Sequence, residues 1–233
     1  MNSITLPQQA VEAAIVDLDG TLVDTIGDFD AALNLTHAEL GLPPIGRDAI
    51  VRMVGKGSGH LVRSALLHVG ADAALYDQAV VRYQANYAVV NGQHAEVYPG
   101  AKEGLRALAE SGVRLVCLTN KPTAFAKALL KAKGLSNFFE SVWGGDLFER
   151  NKPDPLPMVK TCEALVTAPR STLVIGDSSN DARAARAAGC PVILVTYGYN
   201  HGEPVRSVDA DGFVDSIADV ASLVRPGGRA ALP

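Results

Sequence analysis

An α/β fold is predicted for this chain: a Rossmann-like parallel sheet core carrying an inserted all-helical cap domain. Three observations predict it. From Tyr98 onward, short apolar runs alternate with helix-length stretches, which implies parallel strands joined by right-handed crossovers with helices on both faces. Before that point, about 70 residues carry only helical patterns, as an insertion between two strands would. The strands that end sharply are each followed by polar residues, at the edge where open α/β sheets bind ligands.

The elements follow in order. Ala13–Val16 is a short apolar run and reads as a buried strand. Residues 28–40 place Phe29, Ala32, Leu33, Leu35, Thr36 and Leu40 at helical spacing, and Gly41-Leu42-Pro43-Pro44 ends that helix. A short helix is expected over 47–54, stopped by the glycine-rich Gly55–Gly59. Further helices are expected over 61–69 and 73–90. Beyond Tyr98-Pro99-Gly100 the pattern predicts helix 101–111, strand 113–118, helix 123–133, strand 141–143 and helix 156–166. Strand 172–175, helix 181–188, strand 192–195, strand 212–214 and helix 216–224 complete it. Gly112, Gly134 and Gly189 stand where these helices stop. The expected domains are a discontinuous core at 1–23 and 97–225, a helical cap at 24–96 and a loose C-terminal tail at 226–233.

Composition narrows the function classes. The chain has 233 residues, 48% apolar and 20% charged, with a net charge of −4. That balance is ordinary for a globular protein and argues against a nucleic-acid or membrane surface, though not against a local basic pocket. No apolar run approaches the roughly 20 residues needed to span a bilayer, and the first residues carry no signal-peptide pattern. Cys117, Cys162 and Cys190 are scattered, without zinc spacing, and suit buried free thiols in a reducing cytoplasm.

The chemistry gathers at strand ends. Asp17 and Asp19 follow the first strand and point the same way, about 6–7 Å apart at Cα. Two such carboxylates can hold a hard cation, and one can attack phosphorus. Taken alone, Asp-x-Asp-Gly fits a surface turn equally well. Thr119-Asn120-Lys121 follow the strand at 113–118. Gly176-Asp177-Ser178-Ser179-Asn180-Asp181 follow the strand at 172–175 and bring a third carboxylate, with Asn180 a candidate cap for the next helix. Such a cluster repels itself unless a cation joins it, and oxygen ligands favour Mg²⁺. Lys152 stands on a proline-stiffened loop, where it would balance a dianionic substrate; an ordinary solvated lysine fits it too, and Lys121 shares that ambiguity.

Four motifs in this order, D-L-D-G-T at 17–21, T-N at 119–120, K-P at 152–153 and G-D-S-x-N-D at 176–181, together resemble the haloacid dehalogenase-like hydrolase superfamily. The resemblance spans nearly the whole chain, and the cap position is similar to that of the helical-cap class. It implies that Asp17 is a nucleophile that becomes phosphorylated. Asp19 is then general acid and base, and Thr119 and Asn120 hold phosphoryl oxygens. Lys152 steadies nucleophile and phosphate. Asp17, Asp177 and the main-chain carbonyl of Asp19 bind Mg²⁺, supported from behind by Asp181.

Thr119–Pro122, Tyr197–Asn200 and the cap loop Val54–Gly57 are most similar to phosphoglycolate phosphatases. That implies hydrolysis of 2-phosphoglycolate to glycolate and phosphate by an enzyme whose partner is a small phosphate monoester, acting as a monomer or homodimer. Sugar phosphatases and β-phosphoglucomutase relatives share much of this pattern, and a catalytically silent binding protein is the non-enzyme alternative. Lys56, between Gly55 and Gly57, and Arg63 on the next helix are the cap cations expected to meet a substrate carboxylate; exposed cap charge fits them almost as well. His60 and His201 read as structural or surface residues.

Overall fold

The computed structural model describes residues 10–224. The expectation of a loose tail at 226–233 lies outside the described residues.

The apolar run Ala13–Val16 forms strand β1. Val23–Asp24 (β2) leads into four helices: Ile26–Glu39 (α1), Arg47–Met53 (α2), Ser58–His68 (α3) and Tyr76–Val90 (α4). Glu96–Val97 (β3) returns antiparallel to β2. The chain then alternates as expected, through α5 (Ala101–Glu110), β4 (Arg114–Leu118), α6 (Thr123–Ala132), β5 (Ser141–Trp143), α7 (Leu156–Leu165), β6 (Thr172–Gly176), α8 (Ser179–Ala188), β7 (Val192–Val195), β8 (Gly212–Val214) and α9 (Val220–Leu223).

Six strands form one sheet in the order β5-β4-β1-β6-β7-β8. Every pairing in it is parallel. Side chains alternate across it because a strand's period is two. Ala14 and Val16 pack on one face with Leu105 of α5 and Leu129 of α6. Ile15 faces the other way, against Met158 of α7 and Ala185 of α8. Both faces are therefore covered, which is why β1, β6 and β7 read as continuous apolar runs rather than alternating ones. Helices α1 to α4 build a separate apolar cluster around Leu33, Ile50, Tyr83 and Tyr87. All three cysteines are free and buried.

Three details differ from expectation. The β2–β3 pair, two residues per strand, was not anticipated, since so short a strand carries no periodicity. The helix expected over 216–224 is a 3-10 turn at Ile217–Asp219 followed by the four-residue α9. Helix α8 begins at Ser179 and is capped by Ser178 in a capping box with Asp181, not by Asn180.

Ile15 sits at the centre of the sheet with 1% exposure. Ile15→Ala should lower the unfolding free energy by about 2–5 kcal/mol, the usual cost of emptying a packed core site. Urea unfolding checks this, and a loss below about 1 kcal/mol would show a loosely packed sheet centre.

Candidate active site

Strand β1 lies between β4 and β6, so the residues that follow these three strands converge. Asp17 continues β1, Thr119 continues β4 and Asp177 continues β6. They line one cleft, with about 630 Å³ of empty space including its mouth, together with Asp19, Asn120, Lys121, Lys152 and Asp181. Gly20 makes the turn behind Asp19 at φ +84°, and a Cβ there would fall 2.5 Å from Asp177 Oδ2.

Lys152 organises the acids. Its Nζ donates to Asp181 Oδ1 at 2.7 Å and to the Leu118 carbonyl at 3.0 Å. It also stands 2.8 Å from Asp17 Oδ1 as an ion pair, but off hydrogen-bond alignment, so that oxygen is buried without a hydrogen bond. Burial opposes the lysine's charge, yet Asp17 and Asp181 hold it above the usual lysine range. Asp181 Oδ2 accepts from the Ser178 hydroxyl at 2.9 Å, so both Asp181 oxygens have partners within the protein.

Asp17, Asp177 and Asp181 offer carboxylate oxygens that all lie within 4.8 Å of one another. Burial pushes the Asp17 carboxyl up to about 6, against the pull of Lys152 and with repulsion from Asp181. Burial, then repulsion from Asp181 and Asp17, raises Asp177 well above the usual carboxylate range. One lysine does not balance three buried acids. The all-oxygen donor set, the crowded charge and the unbonded Asp17 oxygen fit a divalent cation. The Asp19 carboxylate is not part of this cluster. It is held by Lys121, whose Nζ donates to both its oxygens at 2.8 and 3.0 Å.

The two residues after β4 divide their work. Thr119 Oγ1 accepts from the Lys121 N–H at 3.2 Å, which leaves its hydroxyl hydrogen to donate into the cleft. The Asn120 amide donates to the carbonyls of Lys152 (2.8 Å) and Gly55 (2.9 Å) and accepts from the Lys152 N–H. Its side chain thus fastens the lysine loop to the turn after α2.

The cap cations are displaced from expectation. Lys56 and Arg63 are exposed and do not line the cleft; Arg63 lies over the Tyr76 ring at 4.2 Å. Gly55 and Gly57 beside Lys56 have φ of +104° and +85°, and this bend brings the Gly55 carbonyl, rather than the lysine, to the core. His60 is exposed and meets Ser64.

Sequence reasoning left Lys121 between a site lysine and a solvated one; it is 5% exposed, with Phe29 and Tyr87 ring centroids 4.6 and 4.8 Å from its Nζ. The contacts of three further cleft residues were not foreseen. Tyr199 donates its N–H to Asp177 Oδ2 at 2.7 Å and its hydroxyl to Asp24 at 2.8 Å. Asn180 donates to the Gly55 carbonyl at 3.0 Å. His201 lines the cleft with Nδ1 2.9 Å from the Val54 carbonyl. The only sequence signal for Lys121 is its place directly after a strand-end Thr-Asn.

The chain belongs to the haloacid dehalogenase-like hydrolases, whose family model matches residues 11–189. A phosphoglycolate phosphatase of Thiobacillus denitrificans is 42% identical to it over 96% of this chain and 99% of the relative. One of Rhodospirillum rubrum is 41% identical over 93% of each. The crystal structure of a predicted phosphoglycolate phosphatase from Haemophilus somnus superposes with a TM-score of 0.87 at 29% identity, covering 93% of this chain and 99% of that one.

Removing one partner of a buried ion pair leaves an uncompensated charge. Lys152→Met should therefore lower the unfolding free energy by about 3–5 kcal/mol. Adding Asp181→Asn should recover part of that loss, because the two side chains are coupled. Strictly additive losses in urea unfolding would mean the contact carries no coupling.

Proposed function

We propose that this enzyme is a Mg²⁺-dependent phosphatase that hydrolyses 2-phosphoglycolate to glycolate and phosphate through an aspartyl-phosphate on Asp17. The observation that carries this reading is the division of two carboxylates between two buried lysines. Asp17 is paired with Lys152 and Asp19 with Lys121. Two neighbouring acids with separate partners suit separate roles. The names of relatives about 40% identical over nearly the whole chain support the substrate.

In this reading an Asp17 oxygen attacks phosphorus in line with the ester oxygen. The bond from phosphorus to the ester oxygen breaks, and Asp19 gives that oxygen its proton. Asp19 then takes a proton from water. The water oxygen attacks phosphorus, and the bond to Asp17 breaks to release phosphate. The Thr119 hydroxyl and the Asn120 main-chain N–H hold phosphoryl oxygens, and Lys152 keeps Asp17 aimed. Asp17, Asp177 and the Asp19 carbonyl would hold Mg²⁺, with Asp181 fixed behind them by Ser178 and Lys152. When bound, the metal supplies positive charge that offsets the clustered acids and the phosphoryl oxygens.

The division into a core at 1–23 and 97–225 and a cap at 24–96 belongs to the same proposal. The separate apolar cluster of α1 to α4 supports it. In that arrangement β2 and β3 are the two crossings between the units. A cytoplasmic location suits three buried free thiols.

The direct test is turnover of a panel of phosphate monoesters by the purified enzyme, in which 2-phosphoglycolate should give the highest kcat/KM. A sugar phosphate that surpasses it would overturn the substrate. Chelation by EDTA should abolish activity and Mg²⁺ restore it. Asp177→Ala should raise the Mg²⁺ concentration needed for half-maximal rate, and an unchanged titration would show the metal is held elsewhere.

Asp17→Asn should leave no measurable turnover, since the amide lacks the nucleophilic charge. Asp19→Asn should cost roughly 10²–10⁴-fold on alkyl phosphates and much less on p-nitrophenyl phosphate, whose leaving group needs no acid. Equal losses on both would remove Asp19 from the acid role.

A further inference from the structure

Two lysines are found among the described residues that line the cleft, and they are not equally committed. Lys152 has three oxygen neighbours, from Asp17, Asp181 and Leu118, for its three hydrogens. Lys121 has one carboxylate partner, Asp19. The rest of its ammonium faces the rings of Phe29 and Tyr87. A single carboxylate does not occupy three donors, so Lys121 keeps capacity for a second anion. It is also held in place before any ligand arrives, buried directly after a strand and just before α6. A preformed cation of this kind loses little side-chain entropy on binding.

The chemistry of the proposed substrate brings its second anion to this spot. Asp19 must reach the ester oxygen to protonate it. In 2-phosphoglycolate the carboxyl carbon is two bonds from that same oxygen. A group that contacts Asp19 therefore carries its carboxylate into the space where Lys121 stands, 2.8 Å from Asp19. Four acids line the same cleft, so an added carboxylate without a cation would meet only repulsion there.

We propose that Lys121, rather than a cation of the cap, receives the substrate's carboxylate and sets the preference for a phosphate ester with an anionic group beside the ester carbon. This rests on the phosphoglycolate reading above. The two aromatic rings come from α1 and α4 of the helical segment, so the carboxylate site is built from both parts of the chain. Lys121 shares its hydrogens between Asp19 and the incoming carboxylate, and no covalent step is involved.

Ethyl phosphate is the matching probe, with a methyl group where 2-phosphoglycolate has its carboxylate. The readout is the ratio of kcat/KM for 2-phosphoglycolate to that for ethyl phosphate. In Lys121→Met this ratio should fall on the order of 10–100-fold, the scale of one lost charged hydrogen bond in a closed site. Lys121→Arg, which keeps the charge, should retain more of the ratio than Lys121→Met. Lys56→Ala should hold the wild-type ratio. If circular dichroism finds Lys121→Met unfolded, Lys121→Gln is read in the same way. A ratio that survives the loss of Lys121, or that collapses in Lys56→Ala instead, overturns the proposal while the substrate stands. A wild-type enzyme with no preference between the two esters overturns the substrate, and the carboxylate contact with it.

Discussion

An ammonium sealed between two carboxylates, Lys152 between Asp17 and Asp181, is the constraint on which the rest of the site depends. Burying such charges costs more than an apolar replacement would, and a buried ion pair is weak evidence for stability. Its neighbours all serve to hold it. The Asn120 amide grips the Lys152 main chain from both sides. Asp181 gives one oxygen to the lysine and the other to the cap of α8. Ends of two strands, one loop and one helix are thereby locked to a single ammonium. A lysine so placed keeps Asp17 in a fixed position beside a cluster that still carries excess negative charge, which is the state a cation would relieve.

The same contacts tie the helical segment to the sheet. Asn120 beyond β4 and Asn180 in the first turn of α8 both donate to the Gly55 carbonyl. His201 approaches Val54, and Tyr199 joins Asp177 to Asp24. Each links a residue beyond a sheet strand to the helical segment or the chain that enters it, apart from the Tyr199–Asp177 bond, which joins two such residues to each other. The strand ends and the helical segment are thus tied through a few side chains, and Phe29 and Tyr87 of the helices line the cleft beside Lys121.

Much of this was legible in the residues. Buried parallel strands are continuous apolar runs, so β1, β4 and β6 stood out, and with them the acids and Thr119 that follow. Glycines marked where helices stop. The two-residue β2 and β3 left no such trace, since pairing rather than pattern makes them strands. Ser178 and Asn180 are both good cap residues within three positions of Asp181, and the choice rests on a side-chain bond that sequence does not display. Lys121 and Lys56 each stood between a site role and a solvated one for the same reason: a lysine is solvated by default, and only the fold decides which one is walled in. Phe29 and Tyr87 lie 92 and 34 residues before Lys121, the cation they meet, separations that local periodicity does not bridge.

The central claim is that Asp17 carries the phosphoryl group during turnover. Rapid mixing of the enzyme with 2-phosphoglycolate labelled with ³²P, followed by acid quench and peptide mapping, tests it directly. The account predicts transient label on the peptide that contains Asp17, released by hydroxylamine as an acyl phosphate. Label on another residue, or full turnover with no labelled protein at any quench time and with direct transfer of phosphate to water, would contradict it.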